Sequence, residues 1–217
     1  MQYIERHTES LDWVTLLILA CLVLFVLAKQ LYPKRFNEFI LLPATNKYFF
    51  TQGKNEKIQH PFNLILFIAQ AISVSLFIYL YIQSYRPNLV ETHPWLFTHI
   101  LTGYVVFVSI KFALEKIIGS IFSLDSLINS YLFQKLNYRN LLTVVFILGN
   151  LIFFYLVKPA PSALFAFILV ILILNGITMF YCYKRNASTI LANFFYFILY
   201  LCALEIAPYI ILYQVLI

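Results

Sequence analysis

Residues 188–217 read STILANFFYFILYLCALEIAPYIILYQVLI, an apolar stretch with one acid, Glu205, and with Pro208 three residues further on. A helix rises 1.5 Å per residue, so about 20 residues cross a hydrocarbon core of about 30 Å. A carboxylate at the centre of that core costs about 2.5–3.5 kcal/mol on insertion scales. Pro208 has no N–H. It leaves the carbonyl of Leu204 without its helical partner and bends the helix. The stretch is a membrane span that combines an acid, a freed carbonyl and a kink.

The rest of the chain has the same character. Its 217 residues are 62% hydrophobic and only 11% charged, against about 25% charged in soluble domains. A soluble fold of this length has too little interior for 22 Phe, 16 Tyr and the accompanying aliphatics. Residues 1–217 therefore form one polytopic membrane domain. Its spans fall at about 11–28, 61–82, 95–118, 141–157, 162–183 and 188–212. Trp13 and Trp95 stand where membrane interfaces are expected, and Pro61 suits a first helical turn. The first span follows an acidic leader (Glu5, Glu9) and precedes Lys29, Lys34 and Arg35. That order suits an anchored helix better than a cleaved signal, despite Ile18-Leu19-Ala20-Cys21, which faintly resembles a lipoprotein cleavage box.

Charge sets the orientation. With six spans and an external N-terminus, the outside carries only Arg6, Arg86 and Lys158. The inside carries Lys29, Lys34, Arg35, Lys47, Lys54, Lys57, Lys135, Arg139, Lys184 and Arg185, with Lys111 and Lys116 at the inner end of the third span. This is the positive-inside pattern, with both termini periplasmic. A net charge of +6 dispersed between apolar runs excludes nucleic acid as the partner. Lys29, Lys34 and Arg35 are placed to meet anionic headgroups, and the loop after them carries a short apolar patch at 36–42. Residues 119–140 show apolar spacings of three and four, expected of a cytoplasmic amphipathic helix at the interface.

Inside the spans, Gln70, Asn150 and Asn175 fall about 12–14 Å from the cytoplasmic ends of their helices and share one layer. They serve either as interhelical glue or as the lining of a path. Glu205 lies in the outer third, near the depth of His99 and one turn before Tyr209. It is a hydrogen-bonded packing acid, a group reaching the headgroups, or a binding site for a proton, cation or partner. Lys111 and Glu115 are four residues apart near the inner interface. They neutralise each other there or mark a docking site beside the amphipathic segment. Cys21, Cys182 and Cys202 all lie in apolar segments without metal-ligand spacing, so free thiols are expected. No catalytic signature, cofactor motif or metal set stands out. Asn186-Ala187-Ser188 matches a glycosylation sequon on the expected cytoplasmic side and is read as chance.

Leu199 to Pro208, ending Cys202-Ala203-Leu204-Glu205-Ile206-Ala207-Pro208, resembles the C-terminal signature of a family of small inner-membrane proteins of Bacteroidota that carries a domain of unknown function. Tyr32-Pro33-Lys34-Arg35-Phe36 and Lys111 to Phe122 are similar to that family as well. The resemblance implies a bacterial inner membrane, draws attention to Glu205 and Pro208, and brings no activity with it. The expectation is a non-enzymatic scaffold or accessory subunit of a membrane complex, such as envelope secretion or motility machinery. The alternative is a small transporter or channel using Glu205 for a proton or cation.

Overall fold

The computed structural model describes residues 11–42, 60–121, 125–157 and 159–185. The expected span 188–212 with Glu205, Pro208 and Tyr209 lies outside them, as do Lys47, Lys54, Lys57 and Lys158. Seven helices follow in order among the described residues. They are α1 (Asp12–Leu31), α2 (Pro33–Ile40), α3 (Pro61–Tyr85), α4 (Pro87–Thr92), α5 (Leu96–Ile121), α6 (Asp125–Leu151) and α7 (Pro161–Arg185). Several open on proline, whose missing N–H is no loss in a first turn. His60 caps α3 by accepting the Phe62 N–H through Nδ1 at 3.2 Å.

The segments Asp12–Leu31, Pro61–Tyr85, Leu96–Ile121, Tyr131–Leu156 and Pro161–Phe180 are each long and apolar enough to cross a membrane. The helix α3 is central and packs against α1, α5, α6 and α7. In its most apolar stretch 56% of residues are buried, against 11% for α5 and 6% for α7. Phe62, Leu66, Ala69, Ser73, Leu76 and Leu80 are buried on α3. Their alternating steps of four and three form the seam of a helix packed lengthwise against others. Small residues in that seam let backbones approach, and the Cys21 thiol donates to the Ala69 carbonyl at 3.6 Å.

The helices alternate in direction, which gives the bundle two distinct ends. At one, Trp13 packs on Tyr79 and Phe97 with ring centroids 5.2 and 5.5 Å away. Thr15 meets the Tyr155 hydroxyl there, and the Ser84 hydroxyl donates to the Pro159 carbonyl at 3.1 Å. At the other, Phe36, Phe39 and Leu42 close over Ala28, Phe62, Leu66 and Phe133. Lys29, Lys34, Arg35, Lys116 and Lys135 belong to this second end, and α7 finishes there with Lys184 and Arg185.

Three expectations change. The apolar patch at 36–42 is not simply a loop on the membrane surface. Pro33–Ile40 is helical, and its apolar side is buried in the bundle. The amphipathic segment is not a separate interfacial helix, and the fourth span does not start at 141. Residues 125–151 are one continuous helix whose apolar, membrane-length stretch begins at Tyr131. Lys135 and Arg139 suggested a boundary from sequence, but Lys135 is neutralised inside the protein, so these charges do not mark water. Beyond Leu151 the helix widens into a π-helical turn, Ile152–Leu156, closed by the Val157 N–H donating to the Ile152 carbonyl at 2.9 Å. The other described spans begin and end within a few residues of expectation.

Gly149 provides a direct test of the packing between α6 and α7. A Cβ there would collide with the Phe167 ring, with Cε2 and Cε1 at 2.8 and 2.9 Å. That ring is wedged by Phe77 and Phe153, at centroid distances of 5.1 and 5.6 Å. Gly149→Ala is expected to destabilise the protein by about 1–3 kcal/mol, read as a lowered melting temperature in detergent. Adding Phe167→Ala should recover part of the loss. Indifference to Gly149→Ala would contradict this packing.

Candidate functional site: a cavity between four helices

Where α3, α5, α6 and α7 diverge they enclose a cavity of about 690 Å³. Its wall on α3 runs from Gln70 to Ile82 and on α5 from His99 to Lys111, thirteen residues in each case. Gln70 on α3 meets Tyr104 on the antiparallel α5, so the two strips overlap only in part and together run about 28 Å along the bundle. Most of the wall is apolar: Val74, Ile78 and Ile82 on α3, Leu142 and Phe146 on α6, Ile171 on α7. The polar groups are graded along it. His99 lies toward the aromatic end, Gln70, Tyr104 and Asn175 near the middle, and Lys111, Tyr131, Lys135 and Arg139 toward the cationic end.

Hydrogen bonds show what each group is committed to. The Gln70 Nε2 donates to the Tyr104 hydroxyl at 2.9 Å, tying α3 to α5. Gln70 is 2% exposed, and its Oε1 has no partner among the described residues. His99 Nδ1 lies 2.9 Å from the Trp95 carbonyl, an acceptor only, so this nitrogen carries the proton. Nε2 is then left to accept when the ring is neutral. The backbone carbonyl of Asn175 accepts from the Thr178 hydroxyl at 2.7 Å, a bond that does not involve the Asn175 side chain. Asn150 does not line this cavity. Its Nδ2 donates to the Ser73 carbonyl at 2.8 Å and fastens α6 to α3. The expected layer of Gln70, Asn150 and Asn175 is thus split between a helix clamp and a cavity wall, with no hydrogen bond linking the three to one another.

The pair Lys111–Glu115 is also redistributed. Glu115, on α5, accepts from Lys135 Nζ on α6 at 2.8 Å, with the two side chains 3% and 19% exposed. The Lys135 ammonium also lies 5.4 Å from the centre of the Tyr131 ring. The contact joins the third and fourth spans, so the acid works between helices rather than along its own. Lys111 is buried in the cavity wall, whereas Lys116 faces outward. Arg139 stands between the main cavity and a smaller one of about 400 Å³ lined by His60, Asn63, Ser109 and Phe112.

Tyr131, Lys135 and Arg139 were missed as site residues by sequence reasoning, which assigned both cations to a cytoplasmic surface. The signal was present. Residues 131, 135, 138, 139, 142 and 146 recur at steps of three and four and form one face of a helix. That face mixes charge and apolar groups, and only the neighbouring helices show it to be internal.

These features define the class, a multi-pass α-helical membrane protein with a cavity of mixed polarity between its helices. The chain belongs to the family described as Domain of unknown function (DUF4271), whose profile matches residues 14–216. No curated protein and no solved structure matches it.

The ion pair yields a second prediction. Lys135→Ala leaves a carboxylate buried at Glu115 without its cation, which is expected to cost about 3 kcal/mol, the low end for broken buried pairs because Lys135 keeps some exposure. The double variant Glu115→Gln/Lys135→Gln should cost less than Lys135→Ala alone. Lys116→Ala should change stability by under about 0.5 kcal/mol. Thermal melts of the purified variants check the order.

Proposed function

We propose that this chain is a non-enzymatic subunit or scaffold of a bacterial inner-membrane complex, with the cationic end cytoplasmic and both termini periplasmic. The observation that carries the reading is the outer face of α5. Val106, Ile110, Leu114, Ile117 and Ile121 are all 41–69% exposed and follow one another at steps of four, four, three and four. That is the spacing of a helix-packing seam, on a helix that its own bundle covers little. The exposed residues of α1 show similar steps (Leu16, Leu19, Val23 and Val26), but α1 is covered more fully by its own bundle, 22% of its apolar stretch being buried against 11% for α5. The resemblance to the Bacteroidota family supports an envelope complex, and Lys29, Lys34 and Arg35 at the cationic end suit anionic headgroups.

The alternative, a transporter or channel using Glu205 for a proton or cation, draws on the length of the cavity. Lys111, Lys135 and Arg139 on its described wall repel a cation, which places this reading second.

Two measurements test the proposal. The tagged protein, purified from native membranes in mild detergent, is expected to carry a stoichiometric membrane-protein partner. Ile110→Ala/Ile117→Ala should weaken that association, while Leu16→Ala/Leu19→Ala on α1 should leave it intact. Loss from both faces alike, or no partner with the wild type, defeats the subunit reading. For orientation, single cysteines replacing Arg86 or Lys116 in a cysteine-free background are treated with an impermeant maleimide. Labelling at position 86 but not at 116 in intact inner-membrane spheroplasts is expected, and the reverse would invert the topology.

A further inference from the structure

We infer that the outer face of α5 pairs with the same face of a second copy of this chain, the two helices lying side by side and running in one direction. The inference rests on the subunit reading of that face and names what packs there.

The seam comes first. Gly103, Val106, Ile110, Ala113, Ile117 and Ser120 are all exposed and follow one another at steps of three, four, three, four and three. That is the heptad alternation of two helices packed lengthwise. Leu114 and Ile121 flank it, 41% and 69% exposed. At helical rise the row runs about 26 Å, most of a hydrocarbon core of about 30 Å. Helices in lipid associate through tight contact rather than through buried area, and small residues in the seam let their backbones approach. Gly103, Ala113 and Ser120 place small residues at both ends of the row and near its middle.

Gly103 is an independent observation. A glycine inside a helix costs about 0.5–1 kcal/mol relative to alanine. At Gly149 the Phe167 ring explains the missing Cβ, whereas a Cβ at Gly103 would meet nothing within 4 Å among the described residues. The packing of the bundle makes no use of that gap. A helix brought up from outside does.

Three features select a second copy. Copies share one orientation in the membrane, so a two-fold axis along the bilayer normal pairs α5 with α5 in parallel, and each seam residue meets its own counterpart. In a parallel pair, β-branched residues at the first core position of the heptad favour two strands. That position holds Ile110 and Ile117, whose side chains keep one rotamer in a helix. No seam position is charged, so the copies meet without like charges opposed across the axis. The other open faces fit less well. On α1, Leu16, Leu19, Val23 and Val26 have the spacing but include no small residue. On α7, Ser162, Ala166, Leu169, Ile173, Gly176 and Phe180 form a comparable exposed row. That helix leads after two residues into the expected span 188–212, and a connection so short makes antiparallel neighbours.

The test uses the full chain in native membranes, with its three cysteines replaced and single cysteines introduced one at a time. A disulfide needs Cβ atoms about 4 Å apart, so it reports direct contact. Val106→Cys, Ile110→Cys, Ala113→Cys and Ile117→Cys are oxidised with copper–phenanthroline and run on a non-reducing gel, with Leu16→Cys and Leu169→Cys as controls. The four seam variants are expected to form disulfide-linked dimers, and the controls to stay monomeric. Gly103→Leu has room in its own bundle, so it should keep the melting temperature while abolishing the Ile110→Cys crosslink. Dimers formed equally by the controls, or an Ile110→Cys crosslink unchanged by Gly103→Leu, overturn the proposal. Absence of any seam crosslink overturns the second copy. The subunit reading is then judged by the purification described above: a different co-purifying protein that Ile110→Ala/Ile117→Ala releases keeps it, and no such protein defeats it as well. Should Gly103→Leu fail to fold, the cysteine series decides alone.

Discussion

The described structure hangs on the close approach of its neighbours to α3. In hydrocarbon, helices gain nothing by hiding apolar surface from lipid, so they associate through tight van der Waals contact and hydrogen bonds between them. The small residues Ala69, Ala71, Ser73 and Ser75 on α3 are all buried. They let α1 come near enough for the Cys21 thiol to reach a backbone carbonyl, and α6 near enough for Asn150 to do the same. Because α1 and α6 share α3 so fully, α5 and α7 can only lie farther out. Their splaying is what opens the cavity.

Charge inside the bundle follows from the same geometry. Glu115 on α5 is held by Lys135 on α6, a bridge between two helices that diverge elsewhere. It closes the cationic end of the cavity while Gln70 and Tyr104 tie α5 to α3 nearer the middle. The aromatic cluster of Trp13, Tyr79 and Phe97 secures the other end. The cavity is thus a gap held open between fixed points, with Lys111 and Arg139 set in its wall.

Much of this was legible in the residues. Membrane class and the approximate positions of the described spans follow from hydrophobic run length, which needs no partner to interpret. The gathering of cations at one end follows from the alternation of basic loops. His99, Lys111, Gln70 and Asn175 stood out as polar groups in apolar surroundings, and the structure brings them to one cavity. Asn150 stood out equally and proved to be a clamp on Ser73. Nothing in a single helix distinguishes an asparagine that faces a neighbour's backbone from one that faces a cavity.

The sequence by itself determined that the chain is helical and membrane-spanning, because a backbone in hydrocarbon must satisfy its hydrogen bonds within each segment. Tertiary structure alone decided the rest. It made Lys135 and Arg139 internal, moved the partner of Glu115 from Lys111 on its own helix to Lys135 on the next, and buried Phe36 and Phe39 under the bundle. The physical reason is that helix formation is local, whereas the environment of a side chain depends on which helices surround it. For a charged residue at the edge of an apolar run, that environment determines whether it meets water, lipid phosphate or another side chain.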